Sequence, residues 1–208
     1  MATSQEVQER LRALGYYNGK IDGDLGPASR TAIVEALKGV AAVAQPAPLP
    51  DYSAVSDSIK TLLSKQPKAS RLINEIIVHC TATPEGRAVS VDTIRGWHKA
   101  QGWKDIGYHY VVLLDGTVQA GRPEAEIGSH VAGHNTGTLG VVYVGGVAAD
   151  GKTPKDTRTP AQKAALLAIV NGLIAKYPAV KKVTGHNQYA AKACPSFDVR
   201  KDALGQLI

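Results

Sequence analysis

The residues best suited to chemistry lie near the end of the chain, where a short loop separates His186 from Cys194. An imidazole and a thiolate both suit zinc, and with one further donor they make a catalytic site that keeps an open fourth position. His79 is the expected third donor, because it closes the apolar run 73–79, which predicts a buried strand. The sequence therefore predicts one Zn²⁺ held by His79, His186 and Cys194. The alternative is an ordinary surface histidine beside a buried cysteine.

Two further side chains are placed to assist hydrolysis at a zinc site. Lys192 precedes Cys194 by two residues and could stabilise negative charge that develops on a carbonyl oxygen. Tyr108 follows Gly107, where the missing side chain lets the backbone approach closely, and its hydroxyl could donate a hydrogen bond or shuttle a proton. A solvated lysine and a core aromatic residue are the alternatives for these two positions.

The composition of the 208 residues fits one full domain with a small accessory module. No apolar run reaches about 18 residues, so we expect no membrane insertion. The first residues are polar and acidic, where a secretory signal would be basic and then apolar, so we expect a cytoplasmic chain. Two cysteines in such a chain favour thiol or metal chemistry, and a disulfide between Cys80 and Cys194 is the alternative.

The net charge of +6 indicates an anionic partner, which could be nucleic acid, acidic lipid or a wall polymer rich in carboxylates. The basic residues are scattered, without a Lys/Arg block, and aromatic residues make up only 5% of the chain. Base stacking and a basic binding stripe therefore have little support, so we expect no nucleic acid partner.

Composition and turn signals divide the chain into an all-α module, an Ala/Pro-rich linker that includes a short helix, and a larger domain: residues 1–38, 39–69 and 70–208. In the module, Val7, Leu11 and Leu14 recur at helical spacing, and a second helix is expected to begin at Pro27. So small a core is marginally stable, and such a module should bind a ligand or lean on its neighbour.

The larger domain is predicted as α/β, with a mixed central β-sheet flanked by helices. The predicted strands are 73–79, 108–114, 117–120, 139–144 and 180–184. Asp115-Gly116 predicts a tight hairpin turn, and helices should follow Ser90 and the capping box that starts at Thr159. Cys80 alternates away from His79 and is interpreted as a buried apolar residue.

Part of the N-terminal segment resembles the peptidoglycan-binding module that often accompanies wall hydrolases. The resemblance rests on Leu-Gly-Tyr-Tyr-Asn-Gly at 14–19 and Ile-Asp-Gly-Asp-Leu-Gly at 21–26. Ala36 and Leu37 stand where that module usually closes with Phe-Gln. The resemblance implies peptidoglycan as a partner, and a helical cap without a ligand is the alternative.

The larger domain is similar to the type 2 N-acetylmuramoyl-L-alanine amidases, which include phage lysozyme-type amidases and peptidoglycan recognition proteins. The matching motifs, in order, are 77–83, 94–98, 102–110, 115–118, 128–130 with Asn135, 140–141 and 192–198. The resemblance implies the amidase/peptidoglycan recognition fold. It also implies a zinc hydrolase that cuts the amide between the lactyl group of N-acetylmuramic acid and the L-alanine of the stem peptide.

The resemblance also implies a role for particular residues. Matched residue by residue, the zinc ligands are His79, His186 and Cys194, and the catalytic residues are Tyr108 and Lys192. His130 lies in a glycine-flanked loop and is expected to line the substrate cleft, and Thr81 and Asn135 are the other expected substrate contacts. Val142 stands where some relatives carry a glutamate general base, so this chain resembles the branch that works with tyrosine and lysine alone.

Together these features predict a modular phage or prophage endolysin that acts as a monomer on the bacterial cell wall. It would stay in the host cytoplasm, without a signal peptide, until the membrane is permeabilised. A bacterial autolysin or recycling amidase of the same chemistry is one alternative. The other is a non-catalytic peptidoglycan-binding protein with a structural zinc, although the non-catalytic members typically lack the cysteine ligand.

Overall fold

The computed structural model describes residues 3–43 and 53–208, and the side chains of 3–36 and 56–208. The chain splits into two compact units, Met1–Pro50 and Asp51–Ile208. The middle of the predicted linker, 44–52, lies outside the described residues, and the three predicted segment boundaries stay a prediction. Within the described part of the chain, no helix is both long and apolar enough to cross a membrane.

The first unit contains two helices, α1 (Ser4–Ala13) and α2 (Pro27–Val43). Thr3 and Glu6 form a capping box at the start of α1, which satisfies backbone N–H groups that have no partner within the helix. Leu11, Tyr17 and Ala32 form the core of the unit. Leu14, which follows the helical spacing of Val7 and Leu11, is 60% exposed, because α1 ends at Ala13 and Leu14, as the C-cap, leaves the helical face.

Gln8 organises the turn-rich segment between the two helices. Its side chain is fully buried, and its Nε2 donates to Asp22 Oδ1 (2.9 Å) and to the Asp24 carbonyl oxygen (2.8 Å). Its Oε1 accepts from the backbone N–H of Asp22 (3.1 Å) and of Gly23 (2.8 Å). One amide side chain therefore replaces the backbone partners that a regular element would supply.

The second unit alternates helices and strands. In chain order its elements are α3 (Ser53–Lys65), β1 (Glu75–Cys80), β2 (Thr83–Pro84), α4 (Val91–Ala100), β3 (Tyr110–Val112), β4 (Val118–Ala120), β5 (Thr138–Tyr143), β6 (Gly146–Val147), α5 (Pro160–Lys176) and β7 (Lys182–Gly185). Three 3₁₀ turns follow β7, at His186–Gln188, Val199–Lys201 and Ala203–Gln206.

Five strands form the main sheet in the order β4-β3-β5-β1-β7, and β2 pairs with β6 in a small second sheet. The pairs β3–β5, β5–β1 and β1–β7 are parallel, while β3 and β4 form the predicted antiparallel hairpin. Gly116 has a φ of +85° in the turn after Leu114, a conformation that glycine adopts without steric cost. The prediction of a mixed sheet flanked by helices is confirmed.

The two faces of the sheet are covered by different helices. Val78 and Cys80 of β1 belong to a large apolar cluster with Leu166 and Ile169 of α5. Val142 belongs to a smaller cluster with Ile94 of α4 and other apolar residues. Because side chains alternate along a strand, His79 lies on the opposite face from Val78 and Cys80, away from α5.

Helix α5 is fixed to the sheet through its first turn. Thr159 and Gln162 form the predicted capping box, and Pro160 occupies the first turn of the helix. The buried Gln162 amide also donates to the carbonyl oxygens of Val112 (3.3 Å) and Val144 (2.9 Å). Val112 is the last residue of β3, and Val144 directly follows β5. This contact ties the start of the helix to the carboxyl edge of the sheet.

Candidate active site

Two of the predicted ligands reach one edge of the sheet because their strands are parallel neighbours. His79 is the penultimate residue of β1, and His186 directly follows β7. Val78 pairs with Gly185, so the two histidines occupy the next positions in the same register. Their ring centroids are 4.9 Å apart.

The loop after His186 returns Cys194 to the same edge. Asn187 donates its backbone N–H to the Cys194 carbonyl oxygen (2.7 Å), which closes the loop. The Cys194 Sγ lies 3.7 Å from His79 Nδ1 and accepts from the Cys80 backbone N–H at 3.3 Å. Both cysteines are free thiols, so the disulfide considered for Cys80 and Cys194 is not formed.

The three side chains fit a zinc ion by spacing and by donor type. One ligand atom from each of His79, His186 and Cys194 lies within 4.8 Å of the others. A tetrahedral zinc ion holds nitrogen and sulfur donors about 3.5 Å apart, close to the observed separation of Cys194 and His79. No other cluster of three or more such donors is found among the described residues.

The protonation states of the histidines also suit a metal. Burial, together with the charges of His130, His186 and Lys192, lowers the pKa of His79 well below its ordinary value. Burial and the Lys192 ammonium lower the pKa of His186 in the same way. Both imidazoles are therefore neutral at neutral pH, which is the form that binds a metal ion.

The environment of the thiol acts in the opposite direction. The hydrogen bond with Cys80, followed by burial, raises the pKa of Cys194. A coordinated thiol is deprotonated by the charge of the metal, so a divalent cation would offset this unfavourable environment. The donor set is thus suited to a cation that binds sulfur strongly.

Tyr108 lies beside the ligands. Its ring centroid is 5.1 Å from that of His79 and 5.4 Å from that of His98. A Cβ at Gly107 would collide with the Ser129 carbonyl oxygen, so only glycine allows this close approach of the backbone. Burial raises the pKa of Tyr108, and the nearby Cys194 and Cys80 add to the effect, so the phenol keeps its proton and can act as a donor.

A cleft of about 430 Å³ opens next to this cluster. The polar and aromatic residues that line it include Trp103, His130, Asn135, His186, Tyr189 and Lys192. Lys192 is exposed, and its charge adds to the effect of burial in lowering the pKa of His79 and His186. A substrate in this cleft would be bordered by Lys192 and by one of the three ligands, His186.

Two of the three expected substrate contacts, His130 and Asn135, line the cleft, and Thr81 does not. His130 and Asn135 line the cleft, and Asn135 Oδ1 also accepts from the backbone N–H of His130 (2.9 Å) and Val131 (3.0 Å). Thr81 is not among the residues that line this cleft; its hydroxyl contacts Thr83 Oγ1 (2.8 Å) and accepts from the Gly145 N–H (3.0 Å). The substrate roles of all three stay predictions.

Sequence reasoning did not identify two aromatic residues of the cleft. Trp103 is 37% exposed and packs its ring against His98, with centroids 4.4 Å apart. Tyr189 packs against His134 (4.2 Å) and donates its hydroxyl to Glu75. A signal was available for Trp103, because it lies in the motif 102–110, whereas nothing in the pattern singled out Tyr189.

The fold and the side chains gathered at this cleft are those of a hydrolase. The chain belongs to the N-acetylmuramoyl-L-alanine amidase family, whose profile matches residues 69–197. A second profile, described as a peptidoglycan binding domain, matches residues 2–36. The predictions of an amidase and of an N-terminal peptidoglycan-binding module are confirmed.

Phage proteins are among the relatives. The endolysin of Escherichia phage T7 is 46% identical over 126 residues, which is 61% of this chain and 82% of that protein. The endolysin of Enterobacteria phage K11 is 44% identical over 128 residues, or 62% of this chain and 83% of that protein. The N-acetylmuramoyl-L-alanine amidase of Homo sapiens is 34% identical over 122 residues, 58% of this chain and 20% of that protein.

Solved structures share the fold. The N-acetylmuramoyl-L-alanine amidase LysC from Clostridium intestinale has a TM-score of 0.54 and 28% identity, over 65% of this chain and 82% of that one. The peptidoglycan recognition protein PGRP-SA of Apis mellifera has a TM-score of 0.53 and 20% identity, over 65% of this chain and 88% of that one. The second likeness concerns the fold alone.

Proposed function

We propose that this chain is a modular phage endolysin: a zinc-dependent amidase that cuts between N-acetylmuramic acid and the L-alanine of the stem peptide. The observation that carries the zinc dependence is the convergence of His79, His186 and Cys194, whose ligand atoms lie within 4.8 Å of one another. The phage role is supported by two phage endolysins that are 46% and 44% identical to this chain.

The proposed roles of Tyr108 and Lys192 fit the environments of their side chains. A zinc ion held by the three ligands would supply Lewis acidity, activating water and polarising the scissile carbonyl. Tyr108 keeps its proton because burial raises its pKa, so it is suited to donate a hydrogen bond to the carbonyl oxygen as negative charge develops. The Lys192 ammonium, at the wall of the cleft, would stabilise the same charge.

The N-terminal module is proposed to hold the enzyme on peptidoglycan. It matches a peptidoglycan binding domain over 2–36, and the positive net charge of the chain favours an acidic polymer. Joining a wall-binding module to the amidase raises the local concentration of enzyme at its substrate. The chain is proposed to work as a monomer, and light scattering should give a mass near 21.9 kDa.

The reaction is tested by digesting purified sacculi and analysing the products by mass spectrometry. The amidase predicts stem peptides with a free L-alanine amino group and intact glycan strands. Release of reducing sugars would contradict the bond assignment. A non-catalytic peptidoglycan-binding protein would sediment with the sacculi and release nothing.

Zinc dependence is tested by metal analysis and by a pair of cysteine variants. The purified protein should hold one zinc per chain, lose activity with a chelator and regain it when zinc is restored. Cys194→Ser should lose the metal and the activity, whereas Cys80→Ala removes the neighbouring thiol outside the ligand set and should keep both. Equal metal content in the two variants would refute the ligand assignment.

Access to the wall is tested in cells. Protein produced in the cytoplasm should leave the culture turbid until the membrane is permeabilised, after which turbidity should drop. Lysis without permeabilisation would refute the proposed dependence on a membrane-permeabilising partner.

A further inference from the structure

We propose that His130 is a positioning residue that fixes the proton and the orientation of the His79 ring, so that His79 presents Nδ1 to the zinc ion. The inference rests on the zinc amidase proposed above. It gives a defined task to a residue that sequence reasoning assigned only to the substrate cleft.

The two ring nitrogens of His79 face different partners. Nδ1 faces the Cys194 Sγ at 3.7 Å, while Nε2 lies 3.1 Å from His130 Nδ1. His79 is fully buried, so no water-exposed position is open to either nitrogen. A ligand nitrogen must be unprotonated, so the proton of His79 belongs on Nε2, which then donates to His130.

The contact with His79 also determines the tautomer of His130. Its Nδ1 accepts from His79, so its own proton belongs on Nε2, which donates to Thr138 Oγ1 at 3.3 Å. Thr138 in turn donates its hydroxyl to the His134 carbonyl oxygen at 2.8 Å. Each proton in this series of hydrogen bonds therefore has one position. The series ends on a backbone carbonyl oxygen, which can only accept, so the direction of donation cannot be reversed.

The His130 ring occupies space that two glycines leave open. A Cβ at Gly140 would lie 2.7 Å from two ring atoms of His130, and a Cβ at Gly128 would lie 2.6 Å from its Cδ2. Both glycines are therefore needed to admit the ring. The backbone of His130 is held as well, because its N–H donates to Asn135 Oδ1 at 2.9 Å.

The surroundings of His130 do not suit a residue whose only role is to bind substrate. The residue is only 6% exposed although it lies at the wall of the cleft, and both of its ring nitrogens contact protein partners. A hydrogen-bond partner behind a histidine ligand sets the orientation and basicity of that ligand, and its loss typically weakens metal binding about 10- to 100-fold.

The test measures the zinc affinity of the full chain in competition with a chromophoric chelator. His130→Ala should bind zinc about 10- to 100-fold more weakly than wild type. His130→Asn places an oxygen acceptor near the position of Nδ1 and should keep most of the affinity. His134→Ala removes an exposed histidine outside the ligand set and is the matched control, with unchanged affinity expected.

A second readout reports the geometry of the site. Cobalt(II) substituted for zinc gives sulfur-to-metal charge-transfer and d–d absorption bands that depend on ligand arrangement. These bands should change in His130→Ala and persist in His130→Asn. A residue that only contacts substrate would raise KM without changing the zinc affinity or the cobalt spectrum, and that result would overturn the inference.

Two further outcomes are distinguishable. If wild type itself binds no zinc, the proposed function fails, and the inference with it; if wild type binds zinc and His130→Ala binds equally tightly, only the positioning role fails. If His130→Ala does not fold, as judged by circular dichroism, the zinc affinity of Thr138→Val is measured instead. This substitution removes the hydroxyl that accepts from His130 Nε2 and keeps the side-chain volume nearly constant. A several-fold loss of affinity in that variant supports the inference, and wild-type affinity overturns it.

Discussion

The stability of the second unit should fall in mild acid because His109 is buried as a neutral imidazole. Its Nδ1 accepts from the Gly140 N–H (2.9 Å), and its Nε2 donates to the Glu126 carbonyl oxygen (3.1 Å). Burial lowers the pKa of His109 from 6.5 to about 4; the charges of Arg71 and Arg122 add to this, and the Glu126 hydrogen bond opposes it. A second proton would bind at Nδ1, and the hydrogen bond that this nitrogen accepts from the Gly140 N–H would be lost.

The sign and size of the effect follow from proton linkage. Above about pH 7.5 neither the folded nor the unfolded state binds the extra proton to any extent, and the full stability is present. As the pH falls toward 4, the unfolded chain gains a proton that folded His109 does not, so the free energy of unfolding decreases. The difference of about 2.5 in pKa corresponds to about 3 kcal/mol, and most of it, about 2.5 kcal/mol, should be lost between about pH 7.5 and 4.5.

Urea unfolding followed by tryptophan fluorescence measures this loss. Both tryptophans of the chain, Trp97 and Trp103, lie in the second unit, so the signal reports that unit alone. A chelator should be present throughout, so that proton competition for bound metal does not contribute. His79 and His130, whose pKa values are also lowered, add to the acid sensitivity of wild type with the same sign.

Comparison with His109→Asn isolates the contribution of one residue. The asparagine oxygen can accept from the Gly140 N–H but does not titrate, so the variant should be less stable at every pH yet lose about 2–3 kcal/mol less than wild type on acidification. His134→Asn, which removes an exposed imidazole, is the matched control. Equal losses in wild type and His109→Asn would refute the reasoning.

Three further outcomes are expected. Tyr108→Phe should lower kcat on a soluble muropeptide about 100- to 1,000-fold while leaving the zinc content unchanged, because the ring stays against His79 and only the donor is lost; a change of less than about 3-fold would exclude the donor role. Lys192→Ala should also lower kcat, with partial recovery in Lys192→Arg, and equal rates in the two variants would exclude a role for the charge. Gln8→Ala should destabilise the N-terminal unit by about 1–3 kcal/mol, since it removes a buried amide and leaves the N–H groups of Asp22 and Gly23 without their side-chain acceptor. The Gln8→Ala protein should bind sacculi more weakly than wild type but hydrolyse the soluble muropeptide at the same rate. Unchanged binding to sacculi would exclude a role for the N-terminal module in wall binding.

Sequence patterns were sufficient for the parts of the fold that repeat a simple physical rule. The capping box at Thr159 and the hairpin turn at Gly116 lie where predicted, because each depends on a few neighbouring residues. The edge where His79 and His186 meet was also predictable, since parallel strands end on the same side. The carboxyl ends of β1 and β7 each lie one residue beyond the predicted ends, at Cys80 and Gly185, because pairing with neighbouring strands decides where a strand stops.

What the sequence could not reveal is set by contacts between distant residues. His130 resembles any loop histidine until the fold brings it 3.1 Å from His79, 51 residues away. Gln8 resembles an ordinary polar helix residue, and only the closed turn makes it a buried hydrogen-bonding centre. Leu14 follows the spacing of Val7 and Leu11, yet the end of α1 at Ala13 leaves its side chain exposed.

The order of the strands also sets when activity can first exist during synthesis. β1 carries its ligand early, but its neighbour β7 and the loop with Cys194 are made after β3, β5 and α5. A nascent chain that has already formed most of the sheet therefore still lacks two of the three metal donors. The proposed zinc ligand set is therefore complete only once residue 194 has been made, and activity that depends on it would begin only when β7 has docked against β1.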